Sequence, residues 1–231
     1  MLPSTSKYKL YLYLFFLIFL TSIFNFRFLE NYQNMFSLKT ININGVSYKE
    51  KKNIEEELSK LKNINIFKIT DNKVLEKLTK FKFIESINVK KILPSSINLN
   101  LSKTSILGKT FINGEEFYIG KNGEFINSNQ MNEKYKTPTV FGVFQIKAFL
   151  NLYNILDNQQ IEIDNIEQYY FFKNRRWDLV FSNGLILKLP SKNMANSIKI
   201  YKKLLYNDNL TNTKIIDLRV IDQIIMTNKS E

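Results

Sequence analysis

Histidine and cysteine are both absent from this chain. Without them no Ser-His-Asp or Cys-His nucleophilic system can be assembled, and zinc loses its usual ligands. No disulfide can form, so stability must come from packing alone. An enzyme made from these residues is left with a carboxylate pair, a Ser-Lys dyad or a metal held by oxygen ligands. Glycine and proline are scarce, at seven and four, and no G-x-x-x-x-G-K phosphate loop occurs. Tryptophan occurs once, as Trp177; its neighbours place it in a packed sheet rather than on a ligand platform.

Charge is abundant but lopsided, with a formal net charge of +12. Such a balance invites a nucleic-acid reading, because Lys and Arg neutralise phosphates. The lysines are scattered, however, in a chain rich in Asn, Ile, Phe and Tyr, as expected from an AT-rich coding sequence. Nucleic acid is therefore not the expected partner. Anionic lipid headgroups or acidic wall polymers suit this charge better.

One stretch is uncharged throughout: Leu10 to Phe26, LYLYLFFLIFLTSIFNF. As a helix it spans about 26 Å, close to the roughly 30 Å of a bilayer core, and Phe28 and Leu29 can extend it. Leu10, Leu14, Phe16, Leu17, Ile18, Leu20, Ile23 and Phe26 form the expected anchor, with residues 1–9 as a cytoplasmic tail. Lys7 and Lys9 before it keep the N-terminus inside, so residues beyond about 30 lie across the membrane. A cleavable signal peptide would have a shorter core and a small-x-small site; this run contains neither Ala nor Gly. A buried core helix would show a polar face, and this one does not. The expected anchor spans residues 10–29, followed by a link over 30–37.

Residues 38–105 read as a β-α-α-β-β unit. In KTININGV, Ile41 and Ile43 alternate with Thr40, Asn42 and Asn44, giving a strand that ends at Asn44-Gly45. Ser47-Tyr48-Lys49-Glu50 has capping-box form and opens a helix carrying Ile54, Leu58 and Leu61 on one side. A second helix follows, with Asp71 as N-cap and Val74, Leu75, Leu78 and Phe81 inward. Ile87 and Val89 then alternate with Asn88 and Lys90. A turn at Leu93-Pro94-Ser95-Ser96 leads to Ile97, Leu99 and Leu101 alternating with Asn98, Asn100 and Ser102.

From residue 106 to 226 the pattern is one of hairpins, at Asn113-Gly114, Asn122-Gly123 and Asn183-Gly184. Pro138 and Gly142 bracket a connection. Helices are expected over Lys147 to Leu156 and Met194 to Leu205, the second with Ile198, Tyr201, Leu204 and Leu205 inward. Three strands are expected between Ile161 and Leu189. The stretch Lys214 to Met226 reads as one terminal strand, before a polar tail at 227–231.

The order of these motifs is more informative than any one of them. A strand ending in I-x-I-x-G just after an anchor, two short helices, then strand, proline turn and strand resembles a POTRA domain. One copy behind a signal anchor resembles the bacterial division family FtsQ/DivIB. Phe81-Lys82-Phe83-Ile84-Glu85-Ser86-Ile87-Asn88-Val89 is similar to the family's helix-to-strand segment. Arg176-Trp177-Asp178-Leu179, then Leu187-Lys188-Leu189-Pro190, is similar to a hairpin of alphaproteobacterial members, and Asp217-Leu218-Arg219 to the family's terminal strand. At Ser102-Lys103-Thr104-Ser105 the chain departs from the family's Glu-Arg-x-Pro pattern. The implied fold is α+β: a single N-terminal transmembrane helix, a POTRA domain, and a mostly antiparallel β domain with flanking helices.

No catalytic constellation stands out. Asp157, Glu162 and Asp164 fall at a helix-strand connection, and Glu115-Glu116 and Glu55-Glu56-Glu57 read as solvated faces. No cofactor or metal is expected. A terminal strand tends to lie at a sheet edge, where unpaired N–H and C=O groups can accept a partner strand; it can equally be paired internally. The resemblance implies the first, with contact to FtsB within an FtsB–FtsL complex, through Asp217, Leu218, Arg219, Val220, Ile221, Asp222, Ile224 and Met226. The expectation is a non-enzymatic divisome scaffold that supports septum formation and binds further division proteins. The rivals are an anchored wall-modifying enzyme and a POTRA-type chaperone, although the chain has neither further POTRA repeats nor the many short membrane strands of a barrel.

Overall fold

Leu10–Ser22 of the uncharged run lie in helix α1 (Lys7–Ser22), in a computed structural model that describes residues 7–22, 35–207, 210–220 and 223–228. All of α1 is exposed, including Leu10, Leu14, Phe16, Leu17, Ile18 and Leu20. Its 16 residues cover about 24 Å. Among the described residues no helix is long and apolar enough to cross a membrane. Ile23 and Phe26, the rest of the expected anchor, lie outside the described residues.

The remainder divides into two compact units, one comprising the chain to Thr79 with Ile87–Leu101, the other Lys80–Ser86 with everything from Ser102. In the first, strand β1 (Thr40–Asn44), helices α2 (Tyr48–Leu58) and α3 (Asp71–Leu78), and most of strands β2 (Ile84–Ile92) and β3 (Ser96–Lys103) appear in the expected order. The sheet order is β1-β3-β2, with β1 and β3 parallel and Ile43 opposite Leu99. Ile43, Ile54, Leu58, Leu61, Val74, Leu78, Ile97, Leu99 and Leu101 are buried, as periodicity predicts. The capping arm is present: the Ser47 N–H donates to Glu50 Oε2 at 2.8 Å. Gly45 has φ +89°, and a Cβ there would stand 1.8 Å from the Leu101 carbonyl oxygen. Only glycine fits that turn.

Two local expectations are corrected. Thr70, not Asp71, caps α3, its Oγ1 accepting from the Lys73 N–H at 3.4 Å. Leu75 is exposed rather than inward, because the short helix turns only Val74 and Leu78 into the core.

The second unit is built on a sheet that has nine strands among the described residues. Its strands are β4 (Ile106–Ile112), β5 (Glu115–Gly120), β6 (Phe125–Asn127), β7 (Thr139–Phe141), β8 (Ile166–Phe171), β9 (Trp177–Phe181), β10 (Ile186–Lys188), β11 (Thr213–Asp217) and β12 (Ile225–Asn228). Their spatial order is β12-β11-β10-β9-β8-β7-β4-β5-β6. Asn113 and Gly114 both take positive φ, the I′ geometry that suits the β4–β5 hairpin. Most neighbours are antiparallel, but β7 runs parallel to both β4 and β8, and β11 runs parallel to β10. The stretch read as a Pro138–Gly142 connection therefore holds a central strand.

Helices α4 (Ile146–Asn158) and α5 (Met194–Asn207) share a core with one face of this sheet. Phe149, Leu152 and Leu156 from α4 and Ile198 and Tyr201 from α5 pack in a cluster with Val140, Tyr169, Leu179, Leu187 and Ile216. Trp177 is 1 % exposed and lies 4.7 Å from Phe171 and 6.1 Å from Phe149, ring centre to ring centre. It is a core residue. Leu205, expected inward, is exposed near the end of α5, where its neighbour Leu204 takes the side packed on the core.

Candidate partner-binding edge

The stretch Lys214 to Met226 is not one strand. β11 lies inside the sheet, with Leu187 opposite Ile216 on one side and Met226 opposite it on the other. The chain then breaks step and returns antiparallel as β12, which forms the edge. The break has a local cause. Asp217 Oδ1 accepts the Arg219 N–H at 3.0 Å, and the Arg219 guanidinium closes on the same carboxylate, Nε to Oδ1 at 2.8 Å. This side chain to backbone bond offers the chain a turn in place of a ladder. A further turn bond runs from the Gln223 N–H to the Val220 carbonyl at 3.3 Å.

Register places Asp178, Lys188 and Asp217 side by side across β9, β10 and β11, with Tyr170 and then Phe141 beyond Asp178 and Ile225 beyond Asp217. The neighbouring row (Tyr169, Leu179, Leu187, Ile216) is in the helix-covered core, so alternation turns the charged row to the opposite face. The Arg219 guanidinium hydrogen-bonded to Asp217 holds that carboxyl below the usual carboxylate range, with Lys188 assisting. Asp178 behaves oppositely: burial pushes its carboxyl up, against the pull of Arg176, Lys188 and Arg219.

Between the β11–β12 connection and the start of α5 is a groove of about 640 Å³, where Arg176, Lys192 and Arg219 line one site with Leu218, Val220 and Ile224. Among the described residues no carboxylate lines it. Arg176 also lies over the Phe172 ring, 4.4 Å from its centre. The arrangement suits an extended chain that adds a strand to β12 and places an acidic side chain among the cations.

The residues singled out from the terminal stretch separate into distinct roles. Asp217 and Leu218 are buried, Arg219 pairs with Asp217, and Val220, Ile224 and Met226 are exposed. Ile221 and Asp222 lie outside the described residues. Arg176 and Lys192 went unnoticed as site residues, because only the β9-β10-β11 adjacency brings them to Arg219. The expected acidic loop of Asp157, Glu162 and Asp164 is exposed, and among the described residues no three acidic groups are placed to hold a metal.

Two family models account for most of the chain: POTRA domain, FtsQ-type, over residues 36–103, and Cell division protein FtsQ/DivIB, C-terminal, over residues 111–219. The chain belongs to the FtsQ/DivIB family of cell division proteins. It is 27 % identical to the cell division protein FtsQ of Rickettsia bellii over 189 residues, 80 % of this chain and 69 % of that one. Against FtsQ of Rhizobium radiobacter the identity is 23 % over 150 residues, 64 % of this chain and 71 % of the relative. A match of equal length, at 23 % identity, covers 47 % of FtsQ from Agrobacterium fabrum. The major extracytoplasmic domain of DivIB from Geobacillus stearothermophilus aligns at a TM-score of 0.32 and 12 % identity, over 47 % of this chain and 99 % of that structure.

Proposed function

We propose that this FtsQ/DivIB family chain is a membrane-anchored, non-enzymatic scaffold of the division machinery, and that the β12 edge is where it takes a partner strand. In this reading residues 10–29 anchor it in the inner membrane, the tail to residue 9 is cytoplasmic, and both units act outside the cytoplasm at the septum. The POTRA domain covers residues 38–105 and the β domain 106–226. FtsB, in complex with FtsL, is the partner, and other division proteins join it. The observation that carries the proposal is the edge position of β12, joined to β11 by a connection whose Arg219, Val220 and Ile224 line a groove with Arg176 and Lys192. Backbone groups on that edge supply affinity, and exposed Ile225 and Met226 with the groove supply specificity.

The test is site-specific photocrosslinking in cells. A photoreactive residue at Met226 should capture the FtsB-type protein, whereas one at Asn127 on β6, the opposite sheet edge, should not. Capture at Asn127 alone, or equal capture at both, would count against the β12 edge.

A further inference from the structure

Three segments meet where the chain enters the first unit. Residues 36–39 are flanked by 63–67 on one side: the Leu38 N–H donates to the Ile64 carbonyl at 2.9 Å, the Ile66 N–H to the Phe36 carbonyl at 2.8 Å. The Phe36 and Phe67 rings stand 5.3 Å apart. On the other side is the tip of the β2–β3 hairpin, where the Ser95 carbonyl accepts from the Lys39 N–H at 2.8 Å. The segments share an unusual surface. Phe67 is 60 % exposed and Leu93 56 %, and Met35 and Ile92 are also exposed. Lys39, Lys68, Lys90 and Lys91 are exposed among them. Neither Asp nor Glu occurs in residues 35–39, 63–69 or 90–95.

We propose that this end of the first unit docks on the surface of an anionic phospholipid bilayer, with Leu93, Ile92 and Phe67 in the headgroup layer and the four lysines on lipid phosphates. Exposed apolar side chains interleaved with lysines, with no carboxylate in these three segments, match such a surface. Connectivity favours it as well. Nine peptide steps separate Phe26, the end of the uncharged run, from Met35. That chain reaches at most about 30 Å, so an anchored run keeps this end within reach of the lipid. The inference rests on the anchor reading above. Its consequence is orientation: docking would make the POTRA domain a footing and not a body swinging on a tether.

The full chain in nanodiscs tests this, and the absence of cysteine makes single-site labelling clean. Leu93→Cys carrying an environment-sensitive fluorophore should be quenched by headgroup-level spin-labelled lipid when the bilayer contains phosphatidylglycerol. Tyr48→Cys, at the first residue of α2, beyond the far end of β1, and 85 % exposed, should not be. Each lysine near an anionic surface biases docking about fivefold, so Lys90→Glu with Lys91→Glu should abolish most of the quenching at position 93. High salt should do the same. Quenching that is equal in phosphatidylcholine and indifferent to the lysine reversals overturns the proposal. So does a label at position 93 shielded only when other division proteins are added. A label at Leu14→Cys keeps the two readings apart. If position 14 is quenched from within the bilayer and position 93 is not, docking fails and the anchor stands; if neither is quenched, the anchor reading fails with it.

Discussion

Asp217→Asn separates the charge of the Asp217–Arg219 pair from its shape. The amide keeps an oxygen for the Arg219 N–H but cannot hold the guanidinium as a carboxylate does. The Asp217 side chain is 12 % exposed and that of Arg219 34 %. The pair therefore falls between exposed bridges, about 0.2–1 kcal/mol, and charge-assisted hydrogen bonds, about 1.5–3 kcal/mol. A loss of about 1.5 kcal/mol at pH 7 is expected, which lowers the Tm of a unit this size by roughly 5 °C. Trp177 makes the assay specific, since the chain's only Trp is buried in the second unit, and its fluorescence follows that unit alone.

The pH dependence has a definite sign. Arg219 lowers the folded-state pKa of Asp217, so the stabilisation is complete above the unfolded value of about 3.9 and disappears as pH falls through the lower folded value. The gap in Tm between parent and variant should hold from pH 7 to about 5, then close below about 4. Asp178, in the same row, has its pKa raised by burial. Lowering pH through that raised value stabilises the parent relative to Asp178→Asn, the reverse trend. Asp178→Asn should also cost less at neutral pH. Equal losses at the two positions, or an Asp217→Asn gap that persists at about pH 3, would refute the reasoning.

Gly45→Ala should destabilise the first unit by about 2–3 kcal/mol, because it strains φ and forces Cβ onto the Leu101 carbonyl; hydrogen exchange should report the loss while Trp177 fluorescence stays unchanged. Thr70→Ala should cost about 1 kcal/mol as loss of a cap, and Asp71→Ala only about 0.3–0.5 kcal/mol as loss of a charge in the first turn; the reverse ranking in hydrogen exchange of α3 would restore Asp71 as the cap. A reporter fused after Met35 should be active only outside the cytoplasm, and cytoplasmic activity would end the topology proposal.

The expectations that failed share a physical origin. The β1–α2–α3–β2–β3 order was legible because each element carries a clean period and a local punctuation signal, such as Gly45 or Pro94. The strand at Thr139–Phe141 was not: three residues hold no period, and its partners in β4 and β8 lie far away in the chain. The break after Asp217 was also hidden. The apolar residues from Ile215 to Met226 suit one strand as well as two, and the deciding Asp217–Arg219 contact has no counterpart in periodicity.

What the sequence by itself determined was the chemistry left to this chain and the order of its parts. No histidine or cysteine site can exist, one stretch of seventeen residues is uncharged, and the motif order is that of an FtsQ/DivIB protein. Tertiary structure alone decided which strand is the edge. Edge status depends on what lies beside a strand, and β11, flanked by β10 and β12, cedes that place to four residues near the C-terminus. The groove is decided in the same way. Arg176, Lys192 and Arg219 come from three separate segments and meet only because the sheet places those segments side by side.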